Sequence, residues 1–174
     1  MNKVLMMHSQ FTKIFLLLAL SALAVVVNAA SYTTIDKKTL EIDFSAPKQP
    51  TLLIFWASWC PGCKAEIPNI KDAFAAYPDI HFVGINVNRN VKDGLHVQTI
   101  HDLPYPSISD PTLSLTHHFH IRGTPGFILL DSQGKEAVRT RFVNRSLKLA
   151  MKTLSVKVVH GTNKTLPKVA KPTN

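Results

Sequence analysis

Apolar and polar positions follow different periods along this chain, and each period predicts a different element. "TLLIFWA" (51–57) is apolar without interruption after its first residue, which predicts a strand buried on both faces. "IHFVGINVN" (80–88) reads as a second buried strand. Between them, "KAEIPNIKDAFAAY" places Ile67, Ile70, Phe74 and Tyr77 at helical spacing, and Pro78 ends the run. "VKDGLHVQTIHDL" (91–103) predicts a further helix, its start weakened by Gly94. "PTLSLTHHFHI" (111–121) is a short helix or turn leading into "RGTPG". "FILLD" (127–131) is a third strand, "SQGK" a hairpin turn, and "EAVRTRFV" (136–143) an alternating fourth strand. "NRSLKLAMKTLSVKV" (144–158) predicts a closing helix with Asn144 as its N-cap. Ahead of these, residues 31–50 mix "YTTI" and "LEIDF" with charges, which predicts an edge strand and a turn. The order implies an α/β fold, a central mixed sheet flanked by helices on both faces. In such sheets the reactive group belongs at the carboxyl end of a central strand, where a helix begins.

The two ends of the chain carry other signals. Lys3 and Lys13 precede an apolar run from Ile14 to Val27, and small residues follow at Ala29 and Ala30. That pattern describes a signal peptide over residues 1–30. An uncleaved N-terminal anchor is the alternative, although the run is short beside the roughly 20 residues a spanning helix needs. The expected location is therefore periplasmic or otherwise extracytoplasmic. Residues 31–159 form one domain, and 160–174, with no apolar periodicity and several lysines, a basic disordered tail. The formal charge of +9 falls to +7 when Lys3 and Lys13 leave with the signal segment. Aromatic residues sit in the apolar runs rather than among the basic ones, so the charge reads as a solvated face and not as a nucleic-acid site.

Only two cysteines occur, Cys60 and Cys63, in "FWASWCPGCKAEIP". As a structural staple the pair is weak, because the stabilisation from a crosslink grows with the loop it closes. As half of a zinc or copper site it would need His117, His118 or His120. "HHFH" lacks the spacing of a second ligand pair, and on a helix His118 points away from His117 and His120. Ordinary surface histidines are the better reading, with no metal and no cofactor. As a redox pair the placement is favourable. Cys60 at the helix edge and Cys63 in its first turn meet unpaired N–H groups and the positive dipole end, which favour a thiolate. Cys60, exposed at the tip, is then the attacking residue and Cys63 the resolving one. Pro61 suits a first turn, where its missing N–H costs nothing.

"FWASWCPGC" resembles the active-site strand and turn of the thioredoxin superfamily. The run from Trp59 to Pro68, with "GTPGFILLD" about 60 residues later, is similar to the exported TlpA/ResA branch of thiol:disulfide oxidoreductases, over roughly residues 35–155. The resemblance implies a cis Thr124–Pro125 bond facing the disulfide and offering backbone hydrogen bonds to a partner strand. It implies that Trp59, Pro61 and Gly62 help form the substrate site, Trp59 packing beside the pair. Phe55 and Trp56 belong to the core, and Pro68 kinks the active-site helix. Thioredoxin's buried aspartate is replaced by Ile54, which cannot move a proton. Glu66, three residues after Cys63 and on its helix face, is the group the branch uses instead; partial burial favours the protonated form of a carboxylate, and such a group can take the resolving thiol's proton.

Electron flow can run either way in such a pair. Strongly oxidising relatives place a histidine between the cysteines, which stabilises the reduced form. Pro61–Gly62 supplies no charge, which favours a reductase of exported protein thiols, with cytochrome c maturation as one setting. A disulfide-donating oxidase and a copper- or zinc-binding chaperone on the same fold are the alternatives. The expected partners are protein thiols or disulfides and a membrane redox protein that exchanges electrons with the pair, the chain itself being a monomer.

Overall fold

The computed structural model describes residues 29–162. Residues 1–28 of the expected signal segment and 163–174 of the expected tail lie outside them. Its strands are β1 (Ala30–Thr33), β2 (Thr39–Ile42), β3 (Thr51–Trp56), β4 (His81–Asn86), β5 (Ser107–Ser109), β6 (Gly126–Leu130) and β7 (Glu136–Thr140). Its helices are α1 (Pro61–Ala76), α2 (Val91–Ile100), α3 (Ser114–His118) and α4 (Arg145–Thr162). Five strands form one mixed sheet in the order β5-β4-β3-β6-β7. β3 pairs parallel with β4 and antiparallel with β6, so it is the central strand.

All six residues of β3 are buried, as an unbroken apolar run requires. Successive side chains leave a strand on opposite faces, and β3 feeds two cores. Leu52, Ile54 and Trp56 join Ile67, Ile70 and Ala73 of α1, Val97 of α2, and Leu147 and Met151 of α4. Leu53 and Phe55 join Leu115 of α3 with Ile42 and Phe44 at the end of the β1–β2 hairpin. Each of these large side chains contributes about 1.5–3 kcal/mol on burial. Three helices thus share one face, and the second face is covered by short α3 and the hairpin.

Several boundaries differ from expectation for identifiable reasons. α1 begins at Pro61 and ends at Ala76, because Tyr77 precedes Pro78 and has left the helical region (φ −129°, ψ 68°). The predicted edge strand is a separate antiparallel hairpin, joined to the main sheet by a bridge between Thr34 and Ile108. β5 has no counterpart in the sequence reading. Its three residues follow Pro104 and Pro106, and their pairing with β4 is what makes them a strand. Asn144 caps α4 as expected, its Oδ1 accepting the Leu147 N–H at 3.1 Å. That helix runs on to Thr162, past His160, where the tail was expected to start. Among the described residues no helix is long and apolar enough to cross a membrane.

Candidate active site

β3 ends at Trp56, and the next four residues carry the chain to the first turn of α1. Cys60 is the N-cap, with extended backbone (φ −89°, ψ 106°), and its Sγ accepts the Cys63 N–H at 3.1 Å. One of the helix's orphan donors is thereby met by sulfur. Cys60 and Cys63 are joined in a disulfide, their Cα atoms 5.3 Å apart.

Neither cysteine projects into solvent: Cys60 is 4% exposed and Cys63 6%. The expected exposed tip at Cys60 is therefore not found. An N-cap side chain that bends back over the first turn faces the helix, and both cysteines belong to the core cluster that includes Trp56 and Ala57. Trp59, next to Cys60 in the chain, is 65% exposed. Phe55 is fully buried, and Trp56 is buried with its Nε1 donating to Ser107 Oγ at 3.2 Å, both in core roles.

The Thr124–Pro125 bond is cis. A Cβ on Gly62 would lie 3.2 Å from Pro125 Cδ, so the cis proline stands directly against the dipeptide between the cysteines. The Thr124 carbonyl accepts from Arg141 Nη2 at 3.2 Å. Behind Cys63 a small cavity is lined by Ile54, Ala57, Ile67 and Phe127, so that wall holds no carboxylate. Tyr105 also lines it, and burial raises its hydroxyl pKa well above the usual phenol value.

Glu66 is half-buried on α1. Its Oε2 accepts from the Val143 backbone N–H at 2.9 Å and from Asn69 Nδ2 at 3.3 Å. The bend at residues 141–143 thus touches both halves of the site, reaching Glu66 through Val143 and Thr124 through Arg141. Pro68 lies inside α1, and the helix continues through it.

Two polar clusters escaped the sequence reading. Asn88, 3% exposed, accepts the Ser58 N–H at 2.9 Å through Oδ1 and donates from Nδ2 to Ser58 Oγ at 2.5 Å. Fully buried Asn86 donates to Asn88 Oδ1 at 3.1 Å. These amides hold the bend that delivers Cys60. Two asparagines in the otherwise apolar "GINVN" were the available signal, since a buried polar side chain needs a partner. Asp110, 2% exposed, accepts from the backbone N–H groups of Leu115 and Thr116 at 3.2 and 2.9 Å, and so anchors α3. His117 and His118 lie on α3 and His120 just beyond it. No cluster of three or more His, Cys, Asp or Glu side chains able to hold a metal occurs among the described residues.

The disulfide thus lies at a helix N-terminus, against a cis proline and just past the end of the central strand. The pattern of the AhpC/TSA family matches residues 26–143. The chain belongs to the AhpC/TSA family. It is 34% identical over 107 residues to sporulation thiol-disulfide oxidoreductase A of Bacillus subtilis, covering 56% of this chain and 64% of that protein. It is 31% identical over 86 residues to thiol-disulfide oxidoreductase ResA of Halalkalibacterium halodurans, covering 48% of each. The matched stretches thus span about half to two thirds of these relatives. Among solved structures, StoA from Bacillus subtilis aligns with a TM-score of 0.60 at 25% identity, over 74% of this chain and 98% of that one. This AhpC/TSA chain is thioredoxin-like in fold, and its relatives include the ResA kind that the two motifs implied.

Proposed function

We propose that the protein is an exported thiol:disulfide oxidoreductase that works as a reductase of protein disulfides. The observation that carries this reading is the Cys60–Cys63 disulfide at the N-cap of α1, facing cis-Pro125 across Gly62. The names of the relatives support the class of chemistry. Export rests on the signal-like first thirty residues.

In the reduced protein, the Cys60 thiolate attacks one sulfur of a partner disulfide. A mixed disulfide forms and the partner's other sulfur leaves as a thiolate. Glu66 takes the proton of Cys63, and the Cys63 thiolate attacks Cys60 Sγ. The partner's second thiolate is released, and the protein returns to its disulfide form having given up two electrons. A membrane-bound dithiol donor restores them. Helix α1 supports the thiolate of Cys60 through its N-terminal N–H groups. Pro61, Gly62, Thr124 and Pro125 form the seat of the partner strand, with Trp59 at its edge. Apocytochrome c is one substrate with the required cysteine pair.

The reduction potential of the full chain, equilibrated against defined thiol buffers, tests the direction. A value near the thioredoxin end, about −270 mV, is expected. A value near −120 mV makes the protein a disulfide donor and overturns the reductase reading.

A further inference from the structure

An open groove of about 1000 Å³ runs from the active-site bend between the 87–90 segment and α3. We propose that this groove seats an acidic stretch of the partner protein, a few residues along the chain from the disulfide that is exchanged. The inference rests on the thiol-exchange reading and adds to it the kind of partner that the site selects.

Val87, Leu113 and Ile121 make part of the groove apolar, and Trp59 lines it as well. Arg89 and Arg122 line it, and both are exposed. The ion pairs among the described residues are Lys38 with Asp36 and Arg139 with Glu136, so neither groove arginine is committed to a carboxylate. Asp93 is the one acid in the lining, and its Oδ1 accepts from Asn90 Nδ2 at 3.1 Å. His117 also faces the groove. Two guanidinium groups against one carboxylate leave the groove cationic, and outside the lining Arg141 Nη2 donates to the Thr124 carbonyl at 3.2 Å.

Thr124 lines the groove next to cis-Pro125, so the groove adjoins the site of exchange. Guanidinium groups bind carboxylates through paired, planar hydrogen bonds. An extended protein segment carrying Asp or Glu, with apolar side chains to meet Val87, Leu113 and Ile121, matches both the charge and the lining.

The test uses the full chain, reduced with a dithiol, and three synthetic peptides that share one internal disulfide. Their flanks carry Asp and Glu, Lys, or Ser. At low salt the acidic peptide is expected to be reduced about three- to tenfold faster than the basic one, with the neutral peptide between. The ratio should fall towards one near 0.5 M salt, where screening acts within a few ångströms. An Arg89→Glu/Arg122→Glu double variant should reverse the order. Equal rates for all three peptides, a preference insensitive to salt, or a wild-type order in the double variant each overturn the proposal while leaving thiol exchange intact. If none of the peptides is reduced, the exchange reading falls and takes this one with it. Should the double variant not fold, the salt dependence of the wild-type ratio decides.

Discussion

The Glu66 carboxylate sits 2.9 Å from the backbone nitrogen of Val143, a residue 77 positions away in the chain. That contact ties the active-site helix to the bend before α4, and the same bend reaches the carbonyl of Thr124 through Arg141. Two roles thus meet in one side chain, the proposed proton acceptor for Cys63 and an anchor for the bend. They separate by substitution. Glu66→Gln retains an oxygen that can accept the Val143 N–H but cannot take a proton. It is expected to slow exchange at least about tenfold with little change in stability. Glu66→Ala loses both roles and should also lower stability by about 1–3 kcal/mol. Urea denaturation beside rapid-mixing kinetics distinguishes them, and normal kinetics in both variants would remove the proton role.

The Asn86–Asn88–Ser58 hydrogen bonds hold the approach to Cys60, and α2 packs on them through Gly94. A Cβ at Gly94 would lie 2.5 Å from Asn86 Oδ1. The glycine that weakens the helix by propensity is thus required by packing. Gly94→Ala should cost about 1–3 kcal/mol through overpacking, although the same change in an exposed helix stabilises. A rise in the urea midpoint would show that the two elements part more easily than the contact indicates.

Gly62 bears neither charge nor side chain where it meets Pro125. Replacing it with histidine puts an imidazole on the dipeptide between the cysteines, where its charged form favours the thiolate. Gly62→His should therefore raise the reduction potential, and each 30 mV or so corresponds to a tenfold change in the exchange equilibrium. Equilibration against glutathione buffers reads this directly, and a fall in potential would contradict the electrostatic account.

His81 opens β4, and burial lowers its pKa below the ordinary value of 6.5. Its neutral form is the one the fold accepts, while the unfolded chain still binds a proton near pH 6. The stability tied to neutral His81 is thus fully present above about 6.5 and is lost as pH falls from there through the depressed folded value. Between pH 7.5 and 5 the wild type should lose more stability than His81→Gln, measured by urea midpoints across that range. Parallel pH profiles for the two proteins would assign the loss to other groups.

Much of the fold could be read from local pattern. The unbroken apolar run of β3, the helical spacing of Ile67 and Ile70, and the capping side chain of Asn144 each act within one element, and the sequence states them directly. β5 could not be read this way, because three residues after two prolines become a strand only when β4 offers them partners. Gly94 was read as a weakness for the same reason: its value lies in Asn86, which belongs to another element.

Within the site, the sequence alone determined which residues lie at the carboxyl end of the central strand, and that Cys60 sits at the edge of the following helix with Cys63 in its first turn. Chain neighbours and helical periodicity are enough for that. Only the tertiary structure decided where the side chains go. It turned Cys60 inward over its own helix and Trp59 outward, bound Glu66 to Val143, and brought Arg89 and Arg122 to one groove beside Thr124. These relations join residues far apart in sequence, and packing between elements sets them, which local spacing does not encode.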